Sequence, residues 1–215
     1  MKVVDSMVYE KCGKLQQIKN TKNRLFLALI CLMRNEKYEN ITIKDILEYA
    51  EVSRRTFYRH FKNKDDLLND YFKKIINDYL GERKKFAQSE SFEKMLAGSF
   101  NFWYKQREVL SIIMKHQKPE LLFHQMKKYS KEIYDSITLP WFAYDGDVTK
   151  INYAMSFIIG GYYSVLCNWL VKDEPEDPSV IALEVKKMVI KLTKFFDLDV
   201  EQNSQDSGNL KKALN

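Results

Sequence analysis

Seven glycines and four prolines are all that interrupt a chain of 215 residues, and this scarcity restricts the fold more than any other feature. A β-sandwich or barrel needs many tight turns, which Gly and Pro supply. A chain that stops so rarely is expected to run in long helices. The apolar pattern agrees: Leu25, Leu29 and Leu32, with Phe26, Ile30 and Met33, recur at helical spacing. The sequence shows no internal repeat and no strong strand alternation. The fold class expected is all-α.

Capping signals divide the chain. The spacing predicts a first helix from about Thr21 to Asn35, then the polar connection NEKYEN. Thr42 is a good N-cap for a short helix, IKDILEYA, with Asp45 placed to complement its amino end. After the turn "EV", Ser53 caps a third helix through about Phe61. Asp65 and Asp66 open a fourth, which runs toward Phe86. Further helices are expected near Phe92–Lys105, Arg107–Lys115, Pro119–Ile137, Asp147–Lys172 and Pro178–Phe196, with breaks at PWFAYDGD and KDEPEDP. The expected organisation is an N-terminal arm (1–20), a three-helix head (21–66), a helical regulatory and dimerisation domain (67–198) and a polar, disordered tail (199–215).

Charge is uneven across these parts. Residues 1–85 carry 19 Lys and Arg against 12 Asp and Glu, whereas residues 86–215 carry 16 against 17. A basic first third on a neutral remainder points to one part that meets a polyanion. Cys12, Cys31 and Cys167 are odd in number and widely spaced, which gives neither a disulfide framework nor a zinc knot and fits a reducing cytoplasm. The longest charge-free run, Ile151 to Val171, is long enough to cross a bilayer. Its asparagines, serines and tyrosines, and the lack of a second such run, favour a helix buried in a helical domain or dimer interface. No membrane partner is expected.

The basic charge concentrates in SRRTFYRHFKNK, Ser53 to Lys64. At 100° per residue, Arg54, Arg55, Tyr58, Arg59 and Lys62 fall within an arc of about 140°. Phe57 and Phe61, spaced i and i+4, fall outside it with His60 beside them. One face can anchor in a small core while the other offers guanidiniums, an ammonium and a phenol to a single surface. A major groove admits one helix, and Arg can grip guanine with two hydrogen bonds. The short helix, tight turn and capped helix have the helix-turn-helix layout.

These residues resemble a known family. ITIKDILEYAEVSRRTFYRHFKNKDDLL, Ile41 to Leu68, is similar to the DNA-binding motif of the TetR family of bacterial transcription regulators, most specifically from Val52 to Leu68. The resemblance implies an all-helical homodimer: a three-helix DNA-binding head, a linking fourth helix, and a ligand-binding and dimerisation domain. It implies that Thr42 and Lys44 contact phosphate or a base edge and that Ser53 touches phosphate. Arg54, Arg55 and Arg59 then read bases or nearby backbone. Thr56, Tyr58, His60 and Lys64 match phosphate-binding positions, although the angle of His60 places it toward the core. Glu51 stands where many members have Gly, so a left-handed turn there is strained.

The C-terminal stretch SFIIGGYYSVLCNWLVKDEPEDPSVIALEVKKMV is similar to the last two helices of a subgroup with short regulatory domains, which includes activators of dihydroxyacetone metabolism genes. The resemblance implies pairing with the dimer mate through Phe157, Ile158, Gly160, Gly161, Tyr162, Val165 and Trp169. Trp103, Tyr104, Phe123, Met126, Tyr129, Trp141, Phe142 and Tyr153 are either core or the lining of a pocket for an apolar or planar effector. Pro119 separates His116 from His124, so no metal site is expected, and no cofactor. No phosphate loop, nucleophile elbow or H-E-x-x-H is present in the sequence.

The expectation is thus a regulator that binds double-stranded DNA as a homodimer, a repressor released from a palindromic operator by a small molecule. Two rivals stand beside it. One is a co-regulator whose C-terminal domain docks a partner protein and has no effector pocket. The other is a helical enzyme or scaffold with a coincidental basic helix.

Overall fold

The computed structural model describes residues 20–86, 91–116, 119–130, 132 and 148–191. These residues form nine helices and no strand. The head comprises α1 (Thr21–Met33), α2 (Ile43–Ala50) and α3 (Arg54–His60). The long α4 (Lys64–Phe86) follows, then α5 (Phe92–Lys105), α6 (Arg107–Lys115) and α7 (Pro119–Lys128). The last two helices are α8 (Val148–Leu170) and α9 (178–191). The expected arm before Asn20, the tail, Trp141, Phe142 and the far ends of the helices expected to reach Ile137 and Phe196 lie outside the described residues.

Helix starts follow local chemistry. The Asn20 side chain accepts from the backbone N–H groups of Lys22 and Asn23 and caps α1. Helix α4 begins at Lys64, one residue before the expected acidic pair, because the Asn63 side chain accepts from the Asp66 backbone at 2.8 Å. Ser91 caps α5 through the Lys94 backbone.

One contiguous apolar core runs through head and body. In the head, Leu25, Leu29, Ile46 and Phe57 are fully buried, as is Leu68 on the adjoining α4. Helix α1 packs on α2, α4 and α6, so it touches both halves. In the body, α4 packs on α5 and α7, and α8 packs on α6 and α7. Tyr79 stacks on Trp103 at 5.1 Å between ring centroids. Its hydroxyl is 2.9 Å from Ser99 Oγ, which is 2.6 Å from the Tyr162 hydroxyl. This chain of hydroxyls ties α4, α5 and α8 together inside an otherwise apolar core, satisfying polar groups that burial would penalise.

Two expectations change. Cys31 is disulfide-bonded, which the spacing of the three cysteines did not announce; Cys167 is free. Trp169 was expected at the dimer face, yet it is 1% exposed within the protomer. Its indole N–H donates to the Glu176 carbonyl at 3.0 Å, and its ring packs on Phe100. A charge-free run had to bury something, and this tryptophan fills the chain's own core. No described helix is long and apolar enough to cross a membrane.

Candidate nucleic-acid interface

Helix α2 starts with a reciprocal cap. The Asp45 backbone N–H donates to Thr42 Oγ1 at 3.2 Å, and the Thr42 backbone N–H donates to the Asp45 carboxylate at 2.8 Å. The Thr42 hydrogen bonds hold the exposed Asp45 carboxyl below the usual range. The helix ends on Glu51, whose φ of 51° and ψ of 47° are left-handed. Glu51 is the only non-glycine with positive φ among the described residues. The Val52 N–H donates to the Leu47 carbonyl at 3.0 Å, closing the turn. Arg24 reaches over from α1 and donates to the Ala50 carbonyl at 2.5 Å, so a guanidinium clamps the carboxyl end of α2.

A left-handed conformation costs a side-chain-bearing residue about 1–2 kcal/mol. Part of that is offset by the extra chain freedom glycine has when unfolded. Glu51→Gly is therefore expected to stabilise the head by roughly 0.5–1 kcal/mol. Thermal unfolding should show a higher midpoint; an unchanged or lower one would mean that the turn bears no strain.

Ser53 caps α3 by accepting from the Thr56 backbone at 3.2 Å, and its hydroxyl lies 2.9 Å from the Thr56 hydroxyl. Phe57 and Phe61 are buried and hold the helix to the head. Arg54, Arg55, Tyr58 and Arg59 are exposed. The Arg54 guanidinium lies over the Tyr58 ring, 5.7 Å from its centroid, which restrains both side chains. Thr42, Lys44, Ser53, Arg54 and Tyr58 line one open cleft of about 700 Å³ between α2 and α3. Glu48 and Glu51 line it as well, and Lys44 pairs with Glu48 at 3.6 Å, so the α2 side of the cleft is less basic than the α3 side.

Two of the expected contacts are placed differently. Lys64 was expected on phosphate. Its ammonium donates instead to three carbonyls: Tyr38, Glu39 at 3.2 Å and Ile41 at 2.7 Å. An ammonium has three protons, and all three are engaged. The connection between α1 and α2 leaves carbonyls that no helix satisfies, and Lys64 is the donor within reach. His60 is half-buried, its ring 6.1 Å from that of Phe61. It sits at the rim of the basic face rather than on it.

Among the described residues, those expected around an effector do not converge. Trp103 and Met126 are core residues, Tyr129 is half-buried, and Tyr104 packs beside Trp169. Tyr153 is 74% exposed. Only Phe123 lines the described body cavity, a hollow of about 180 Å³ between α7 and α8 that Lys127, Ser130, Asn152, Ser156 and Ile159 complete. His116 ends α6 and His124 lies on α7, on separate helices. At the expected dimer surface, Phe157 is 76% exposed and Ile158 is exposed, while Tyr162 and Val165 are half-buried. Gly160 and Gly161 face open space: a Cβ added at either would meet nothing within 4 Å.

The architecture is that of a helix-turn-helix head on a helical body, the build of a transcription regulator. The family pattern for bacterial regulatory proteins, tetR family, matches residues 32–71. A pattern for a transcriptional regulator C-terminal region matches residues 90–191. The chain belongs to the TetR family.

A curated relative, the HTH-type dhaKLM operon transcriptional activator DhaS of Lactococcus lactis subsp. lactis (strain IL1403), is 40% identical over 52 residues. That match spans 22% of this chain and 27% of the relative, about a quarter of its length. Among solved structures, the dihydroxyacetone kinase operon activator DhaS superposes with a TM-score of 0.51 at 15% identity, over 81% of this chain and 97% of that one. The fatty acid degradation regulator FadR from Bacillus halodurans superposes with a TM-score of 0.58 at 18% identity, over 80% and 95%. A TetR transcriptional regulator from Streptococcus agalactiae 2603V gives 0.53 at 19% identity, over 84% and 96%. At these identities the superpositions speak for the fold alone.

Proposed function

We propose that this TetR-family regulator binds DNA as a homodimer, with α3 of each protomer in successive major grooves of a roughly palindromic site. The observation that carries this reading is the exposed face of α3, where Arg54, Arg55 and Arg59 project from a helix anchored by buried Phe57 and Phe61. Arg54, Arg55 and Arg59 reach base edges or the adjacent backbone, and Tyr58 reaches phosphate. Thr42, Lys44, Ser53 and Thr56 contact the flanking phosphates from the helix starts. His60 adds a peripheral contact. Residues 21–66 form the binding head and residues 67–198 the regulatory and dimerisation domain. Pairing runs through the exposed face of α8 at Phe157 and Ile158, with Gly160 and Gly161 admitting a neighbouring helix backbone.

The dimer is a repressor that a small molecule releases by favouring head spacings that miss one half-site. A second reading has its own support. The curated relative is named as an activator. The described aromatic residues expected to line an effector pocket are divided between the core and the surface, and Phe123 lines a body hollow of about 180 Å³. In that reading the body docks a partner protein and holds no effector.

Selection of bound fragments from genomic DNA, sequenced and aligned, tests the proposal. The expected result is an inverted repeat with centres about one helical turn, ~34–36 Å, apart. Recovery of random fragments, or of a motif without two-fold symmetry, would defeat it. A thermal-shift screen with small molecules set beside a partner pull-down separates the two regulatory readings.

A further inference from the structure

The connection between α1 and α2 meets both halves of the molecule at one residue, Tyr38. Although it lies in a turn between helices, Tyr38 is only 2% exposed. Its backbone N–H donates to Nδ1 of His116 at 3.3 Å, across 78 positions of sequence. His116 is the C-cap residue of α6, in the regulatory half. The Tyr38 hydroxyl donates to Asp65 in the first turn of α4. Its carbonyl accepts from Lys64, whose ammonium also lies 4.4 Å from the centre of the Tyr38 ring. Burial raises the Tyr38 phenol far above its ordinary pKa, with the Asp65 carboxylate adding to the effect, so the phenol keeps its proton and remains a donor.

Apolar packing between α1 and α6 also joins head to body, but such contact has no direction and tolerates sliding. A hydrogen bond weakens steeply away from its preferred angle. The geometry points to Tyr38 and His116 as positioning residues that set the angle of the DNA-binding head on the regulatory half. Tyr38 belongs to the head through its place between α1 and α2; Asp65 and Lys64 lock it to the first turn of α4, and His116 locks it to the carboxyl end of α6. A displacement of the carboxyl end of α6 then reaches the head through one backbone N–H. The effect on DNA rests on the two-half-site reading above; the joint itself does not.

The test compares His116→Ala with His116→Asn in the full-length protein. The Asn carbonyl oxygen is bonded to Cγ, as Nδ1 is in histidine, so Asn keeps an acceptor at similar reach. One arm follows amide hydrogen exchange at Tyr38 without DNA. Exchange should quicken about tenfold in His116→Ala and return close to wild type in His116→Asn. The second arm measures affinity for a duplex recovered by genomic selection, whole and cut to one half-site. The ratio of whole-site to half-site affinity should fall about tenfold in His116→Ala and recover in His116→Asn, with half-site affinity unchanged.

Unchanged Tyr38 exchange in His116→Ala would overturn the joint. Equal losses on both duplexes would also overturn it, since His116 would then support the fold of the head and not its placement. A wild-type protein with no preference for the whole site would sink the two-half-site reading alone, and the exchange arm would still decide the joint. Should His116→Ala lose its cooperative thermal transition, His116→Gln, which moves the acceptor one bond outward, takes its place with the same expectations.

Discussion

Alanine at both Arg54 and Arg59 is expected to remove specific duplex binding while the protein stays folded. Each guanidinium that reaches a base edge contributes about 1–3 kcal/mol of discrimination. In the proposed two-fold dimer every substitution counts twice, so the double variant would remove four such groups. A loss of specific affinity of about a thousandfold or more follows. Both side chains are exposed, and their removal should leave stability within about 0.5 kcal/mol. Fluorescence anisotropy with the selected duplex and thermal unfolding, measured together, give the answer. If binding survives the double substitution with its specificity intact, α3 is not the reading element, and the rival of a helical scaffold with a coincidental basic face gains the ground.

The second large effect lies behind that face. Phe57 is fully buried, and its ring packs 5.8 Å from that of Phe61 and edge-on to Tyr58. Truncation to alanine leaves a cavity and should cost about 3–5 kcal/mol. Helix α3 has only seven residues, too short to persist without tertiary support. The head is therefore expected to melt before the body, giving two transitions where the wild type is expected to give one. DNA binding should disappear with the first. A single transition shifted by less than about 1 kcal/mol would show that the head refills the space and that Phe57 is not its anchor.

The contrast between these two substitutions explains how much was legible in the sequence. Caps and helix periods are local, so Thr42, Ser53 and the bounds of α2 and α5 could be read from a few adjacent residues. The exposed basic arc of α3 was legible for the same reason, because residues on one helix have fixed relative angles. The strain at Glu51 was legible from the family resemblance, and its left-handed backbone is present. What escaped was set by contacts across long separations. Nothing near Lys64 signals that three carbonyls of the α1–α2 connection lie within its reach. Arg24 gave no sign that it would clamp the end of α2. Trp169 in a charge-free helix was equally compatible with a dimer face or an internal core, because periodicity tells inside from outside only when polar residues mark the outside. Tyr38 looked like a residue of a polar loop, and only the folded chain brings His116 beneath it.

The clasp formed by Lys64 bears on which residues that position can accept. A tetrahedral ammonium directs its protons along three diverging axes, and the carbonyls of Tyr38, Glu39 and Ile41 occupy them. A guanidinium is flat, and its donors spread in one plane, so arginine would keep the cation and lose the convergence. Swapping one base for another is therefore not a neutral edit here. The tally of positive charge on the head also overstates its hold on a polyanion, because Lys64, like Arg24, is already committed to the polypeptide's own oxygens.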